Sequence, residues 1–133
     1  MLHGLDRPLN LRRIERQLVV AWDGGARPVV VLTKADLEPD LETILGQVQA
    51  AAPGVDVMAT SIVSGHNLDR IKAELDPNRS IFLLGLSGVG KSSLVNALSQ
   101  GQVQRTGEVR TTDRRGRHTT VTRDLIPLPA GGF

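Results

Sequence analysis

Cysteine is absent from all 133 residues. That excludes a disulfide framework and any zinc site held by thiolates within the chain. Tyrosine is absent too, and aromatic residues make up only 2%. The core must therefore be aliphatic, and stacking platforms for RNA bases are not expected. No apolar run approaches the roughly 20 residues of a membrane span. The longest, such as Ile81 to Leu84, are strand-sized. The opening Met1-Leu2-His3-Gly4-Leu5-Asp6 has no basic stretch leading into an apolar core, so no secretory leader is expected. A cytoplasmic protein without a membrane partner fits these absences.

What is present is an ordinary globular mix, 40% hydrophobic and 23% charged, in a length that suits one domain. The net charge of +2 hides an asymmetry. Residues 1–76 carry 8 Lys and Arg against 11 Asp and Glu; residues 77–133 carry 8 against 3. Arg105, Arg110, Arg114, Arg115, Arg117 and Arg123 concentrate the positive charge. A polyanion near that end and a solvated arginine-rich loop explain it equally well.

The hydrophobic pattern alternates between two periods. Behind a capping Asn10, Leu11, Ile14, Leu18 and Ala21 recur at helical spacing until Gly24-Gly25. Trp22, after that face, reads as packing, and Arg12, Arg13 and Arg16 as a solvated face. Pro28 to Leu32 reads as a buried strand, Pro39-Asp40 to Ala51 as a helix, and Val55 to Thr60 as a second strand. Asn67 then caps a helix carrying Leu68, Ile71 and Leu75. Ser80 to Leu84 reads as a third strand and Lys91 to Ser99 as a fourth helix. Gly101 to Thr120 is polar and aperiodic, and Val121 to Leu128 could be a strand. Strands alternating with helices predict an α/β fold: a mostly parallel sheet, helices on both faces, ligands at the carboxyl ends of the strands.

Two motifs fall at those ends. Ile81 to Leu84 runs into Gly85-Leu86-Ser87-Gly88-Val89-Gly90-Lys91-Ser92, followed by Ser93. This is the phosphate-binding P-loop pattern between a strand and a helix. Its glycines admit a phosphate against the backbone, and its N–H groups and helix start supply donors. Lys91 would reach the terminal phosphates and the Ser92 hydroxyl would ligate Mg2+. Upstream, Thr33-Lys34-Ala35-Asp36 closes the strand Pro28 to Leu32. A carboxylate there can accept from both N1–H and the 2-amino group of guanine. Adenine would leave it unpaired, so an ATP-using enzyme is disfavoured. The Lys34 stem would lie over the base plane. Guanine-reading motifs usually place Asn where Thr33 stands, and a hydroxyl cannot reproduce an amide's donor and acceptor together. Ser61 and Ile62, after the next strand, stand where backbone N–H groups commonly touch the guanine oxygen.

The order of these motifs is informative: base first, phosphate second, then Gly116-Arg117-His118-Thr119-Thr120. Circular permutation accounts for it, because joined ends and a new opening leave a packed sheet unchanged. With Asn10 to Arg16, Val31 to Leu37, Gly85 to Leu98 and Gly116 to Thr120, the chain resembles the circularly permuted, ribosome small-subunit-dependent GTPases of the RsgA/YjeQ family. The resemblance implies a P-loop GTPase fold over residues 1–133, GTP and GDP as ligands, Mg2+, and a role in late maturation of the small ribosomal subunit. It implies the small subunit and its rRNA as partners, reached through the full-length protein, and a monomer. It further implies that Thr119 or Thr120 meets Mg2+ and the γ-phosphate in a switch segment. His118 is a candidate for positioning water or sensing the ribosome.

Family members also carry an RNA-binding OB-fold domain and a zinc-binding helical domain; neither is in this sequence. Their aliphatic strand before the Leu5 region is reduced to Met1 to Gly4, which predicts a gap or edge in the sheet. Their D-T-P-G segment is absent as well. Asp113-Arg114-Arg115-Gly116 matches D-x-x-G formally, but no apolar strand leads into it. The expectation is therefore a GTPase domain incomplete at both ends, inactive alone. The alternative is a guanine-nucleotide- or RNA-binding fragment that does not hydrolyse.

Overall fold

The computed structural model describes residues 1–75, 80–99 and 126. Within these the order is β1 (Leu2–Gly4), α1 (Leu11–Asp23), β2 (Val29–Thr33), a 3-10 turn (Ala35–Leu37), α2 (Leu41–Ala51), β3 (Asp56–Ala59), α3 (Leu68–Ala73) and α4 (Lys91–Leu98). The strands pair in parallel in the order β1-β2-β3.

Alternation along β2 builds the core. Val30 and Leu32 face one side with Ile14 and Leu18 of α1 and Val48 of α2. Val31 faces the other with Leu2, Met58, Ile71 of α3, and Leu94 and Leu98 of α4. Helices thus cover both sheet faces, as parallel strands buried on both sides require. Each fully buried Val or Leu contributes about 1.5–3 kcal/mol by leaving water. No aromatic residue takes part in either cluster. Trp22 is 51% exposed, contrary to its reading as packing, because Leu18 is the last fully buried residue of α1.

Local chemistry sets the boundaries. The Asn10 side chain accepts from the Arg13 amide at 3.0 Å and opens α1; Asp40 does the same for Thr43 at 3.4 Å and opens α2. Asn67 precedes α3 but caps it differently from expectation. Its backbone is left-handed (φ 55°), and its side-chain amide donates to the Ala59 carbonyl at 2.8 Å. It ties the helix start to the end of β3 instead of capping the helix.

Two strand expectations change. Leu2–Gly4 forms β1, pairing Leu2, His3 and Gly4 with Val31, Leu32 and Thr33, so the predicted gap beside β2 is filled. Residues 80–84, expected to be a strand, form none. Their tie to β1 is the Leu2 amide donating to the Leu84 carbonyl at 2.6 Å, and one such bond does not make a ladder. Of the stretch Val121 to Leu128, all but Ile126 lies outside the described residues.

Candidate functional site

The carboxyl ends of β1, β2 and β3 meet the loop before α4. At the base side, β2 ends in Thr33, and Lys34 turns through the left-handed region (φ 61°) that side-chain-bearing residues seldom occupy. The turn sends Ala35 back to β3, where its amide donates to the Thr60 carbonyl at 3.1 Å. Asp36 then accepts a very short hydrogen bond from the Ser61 hydroxyl. The loop after β3 is held by its own bonds. The Thr60 hydroxyl and the Ser61 amide both donate to the His66 carbonyl, at 2.8 and 3.2 Å, and the Ser64 amide donates to the Ser61 hydroxyl. Thr60 and Ser61 are each 1% exposed, so this loop is part of the fold's interior. The Ser61 amide is spent on His66, so of the Ser61-Ile62 pair it is the Ile62 amide that is left for a ligand.

At the phosphate side, Gly88 and Gly90 have φ of 75° and 98°, and Gly90 leads directly into α4. A Cβ on Gly85 would stand 2.7 Å from the Leu2 carbonyl oxygen and 2.8 Å from a Val89 methyl. The cradle is therefore shaped by the lack of side chains, as backbone contact with a phosphate requires. The Lys91 ammonium donates to the Gly85 and Leu86 carbonyls, both at 2.8 Å. Burial removes part of its hydration and lowers its pKa. A cation folded over a glycine loop and short of water is one that a phosphate would attract. Ser92 and Ser93 lie in the first turn of α4, where N–H groups have no intrahelical acceptor. The loop and the Ser92 hydroxyl are of the right chemistry to hold a phosphate with Mg2+.

Thr33 joins the two sides. It is 3% exposed, and its hydroxyl lies 2.6 Å from the Val89 carbonyl and 3.4 Å from that of His3. The hydroxyl has one proton, and the shorter contact takes it. Sequence reasoning weighed Thr33 only as a weaker base contact and missed this brace. The signal available was its place at a strand end opposite the glycine loop. The structure thus brings Thr33, Lys34, Asp36, Ser61, Ile62 and Gly85 to Ser93 to one end of the sheet. Thr119, Thr120 and His118 lie outside the described residues, as does Asp113.

A glycine cradle leading into a helix, a lysine and serine at that helix start, and a carboxylate at a strand end beside it define a P-loop GTPase fold, with the base segment preceding the phosphate loop. The sequence model of the RsgA GTPase family matches residues 2–133, and the chain belongs to that family. It is 46% identical over 128 residues to the small ribosomal subunit biogenesis GTPase RsgA 2 of Lactiplantibacillus plantarum, covering 96% of this chain and 36% of that protein. It is 50% identical over 127 residues to the small ribosomal subunit biogenesis GTPase RsgA of Streptomyces avermitilis, covering 93% of this chain and 34% of that one. The crystal structure of YjeQ from Thermotoga maritima superposes with a TM-score of 0.73 at 26% identity, covering 98% of this chain and 43% of that one. The chain spans about a third of the length of these curated relatives. No helix among the described residues is long and apolar enough to cross a membrane.

Proposed function

We propose that this chain is the guanine-nucleotide-binding and hydrolysing unit of a cytoplasmic factor in small ribosomal subunit biogenesis. One observation carries the reading: a carboxylate at the end of β2 and a glycine cradle before α4 face the same end of one sheet, linked by the Thr33 hydroxyl on Val89. Asp36, fixed by Ser61, accepts from the guanine edge, and Ile62 offers its amide to the guanine oxygen. Gly85 to Gly90 wrap the phosphates, and Lys91 exchanges its two loop carbonyls for phosphate oxygens. Ser92 would hold Mg2+, which would neutralise charge on the phosphates. Hydrolysis then rests on positioning and charge stabilisation, with Thr119 or Thr120 and His118 completing the site. The relatives' names support the small subunit as partner, met by the full-length protein as a monomer.

Calorimetry with GDP, GTP and their adenine counterparts tests the binding half on this chain. Guanine nucleotides are expected to bind and adenine nucleotides not to; equal binding of ATP overturns the base assignment. Phosphate release tests the other half. The full-length protein is expected to turn over GTP faster with small subunits, and the 133-residue chain alone negligibly. Turnover by the short chain would mean that another residue, with Asp113 as a candidate, replaces the absent D-x-x-G.

A further inference from the structure

The ladder between β1 and β2 does not stop at the last strand residues. The Leu5 amide donates to the Thr33 carbonyl at 3.0 Å, which brings the next residue on each side, Asp6 and Lys34, together. The Lys34 ammonium and the Asp6 carboxylate form an ion pair at 2.8 Å, with side chains 33% and 26% exposed. The hydrogen bond from Lys34 is the first cause of the lowered Asp6 pKa, which favours the charged carboxylate. Arg7 touches the same carboxylate oxygen at 3.3 Å. Gly4 has no side chain where one would matter, since a Cβ there would fall on the Asp6 carboxylate.

The pair has a direction. The phosphate loop adjoins β1, through Leu2 and Leu84, whereas Asp36 bonds to the loop after β3. Lys34 directly follows β2, between them, and Asp6 draws its ammonium toward the β1 side. We propose that Asp6 is a positioning residue for the nucleotide: it holds Lys34 extended beneath the base and sugar before the ligand arrives. A free lysine would lose most of its rotamer freedom on forming that surface, and the ion pair has already removed it. The inference rests on the guanine reading of Asp36 and Lys34.

The test is titration of the chain with GDP and GTP. Asp6→Ala is expected to weaken both by the same factor, up to about fivefold, the upper end for removing one partly exposed ion pair. Asp6→Glu should recover most of the loss. Gly4→Ala, which displaces the carboxylate without removing its charge, should reproduce it. In a Lys34→Met background Asp6→Ala should change nothing. Unchanged affinity in Asp6→Ala, or an equal loss with and without Lys34, overturns the proposal. Asp36→Asn separates the two readings. If it leaves the preference among guanine, xanthine and adenine diphosphates untouched, the base lies elsewhere and the Asp6 proposal falls with it. If the preference shifts while Asp6→Ala is silent, the Asp6 proposal alone falls.

Discussion

The two sides of the nucleotide site are built by different means. The base side stands on β2, a strand paired on both edges, with a loop closed by Thr60, Ser61, His66 and Asn67 through backbone and side-chain bonds. The phosphate side is tied to the sheet by one backbone bond at Leu84 and by the Thr33 hydroxyl on Val89, with Phe82 71% exposed, and its lysine satisfies itself on its own loop. The base reader is therefore set before ligand arrives, while the phosphate loop must break bonds to accept one. Selectivity among bases should be insensitive to changes that damage phosphate affinity, and the reverse.

The largest effect should come from the phosphate side. Lys91→Ala removes a charged donor that no neighbour replaces, so GDP affinity should fall about 100-fold, as expected for about 3 kcal/mol of charge-assisted bonding. The melting temperature of the free chain should barely move, because the lost bonds are to the loop's own carbonyls. Asp36→Asn comes next. GDP should bind about 30-fold more weakly and xanthosine diphosphate more tightly, the exchange expected when an acceptor pair becomes a donor and an acceptor. Competition binding with the two diphosphates reads both changes.

Thr33→Val probes the seam. It keeps the shape and strands the buried Val89 carbonyl, a loss of about 1–3 kcal/mol for an unsatisfied group. Thermal unfolding should report that loss, and the ratio of guanine to xanthine affinity should stay constant. A changed ratio would mean that Thr33 touches the base after all.

Much of this contrast was legible in the sequence because it depends on local signals. Asn10, Asp40 and the Gly24-Gly25 pair announce helix ends, and the β-branched Val29-Val30-Val31 run announces the central strand. The glycine spacing announced the phosphate cradle and the Lys-x-Asp triplet the base reader. Other features depend on distant partners. β1 is three residues long, too short to show a period, and becomes a strand only because β2 lies beside it. Ser80 to Leu84 has the composition of a strand, and Leu83 and Leu84 pack on the core, but among the described residues its backbone bonds to the sheet through Leu84 and Leu2 alone. Asn67 carries the residue type of a cap, yet the nearby Ala59 carbonyl claims its amide.

Two pH effects are smaller. Burial lowers the Lys91 pKa, and a bound phosphate would raise it again. Binding should then take up protons in the alkaline range, and affinity should fall as pH rises past the pKa of the free chain. Calorimetry in buffers of different ionisation enthalpy detects that uptake. His3 is held below its ordinary 6.5 chiefly by burial, then by the amino terminus and Arg13, with Gln17 opposing. The unfolded chain therefore binds the proton more readily. Stability is full above the unfolded value and declines as pH falls below it. His3→Gln should flatten that decline in melting temperature measured across the same range.

The order of elements also has a consequence during synthesis. β1, α1, β2, α2 and β3 occupy residues 2–59, and their pairings close over short stretches of chain. This unit leaves the ribosome ahead of Gly85 to Lys91, and units of this kind fold as they emerge. The nascent chain would then display a finished pocket for a purine with no place yet for its phosphates. Nucleotide capture would await the final segment, which arrives at a template already standing.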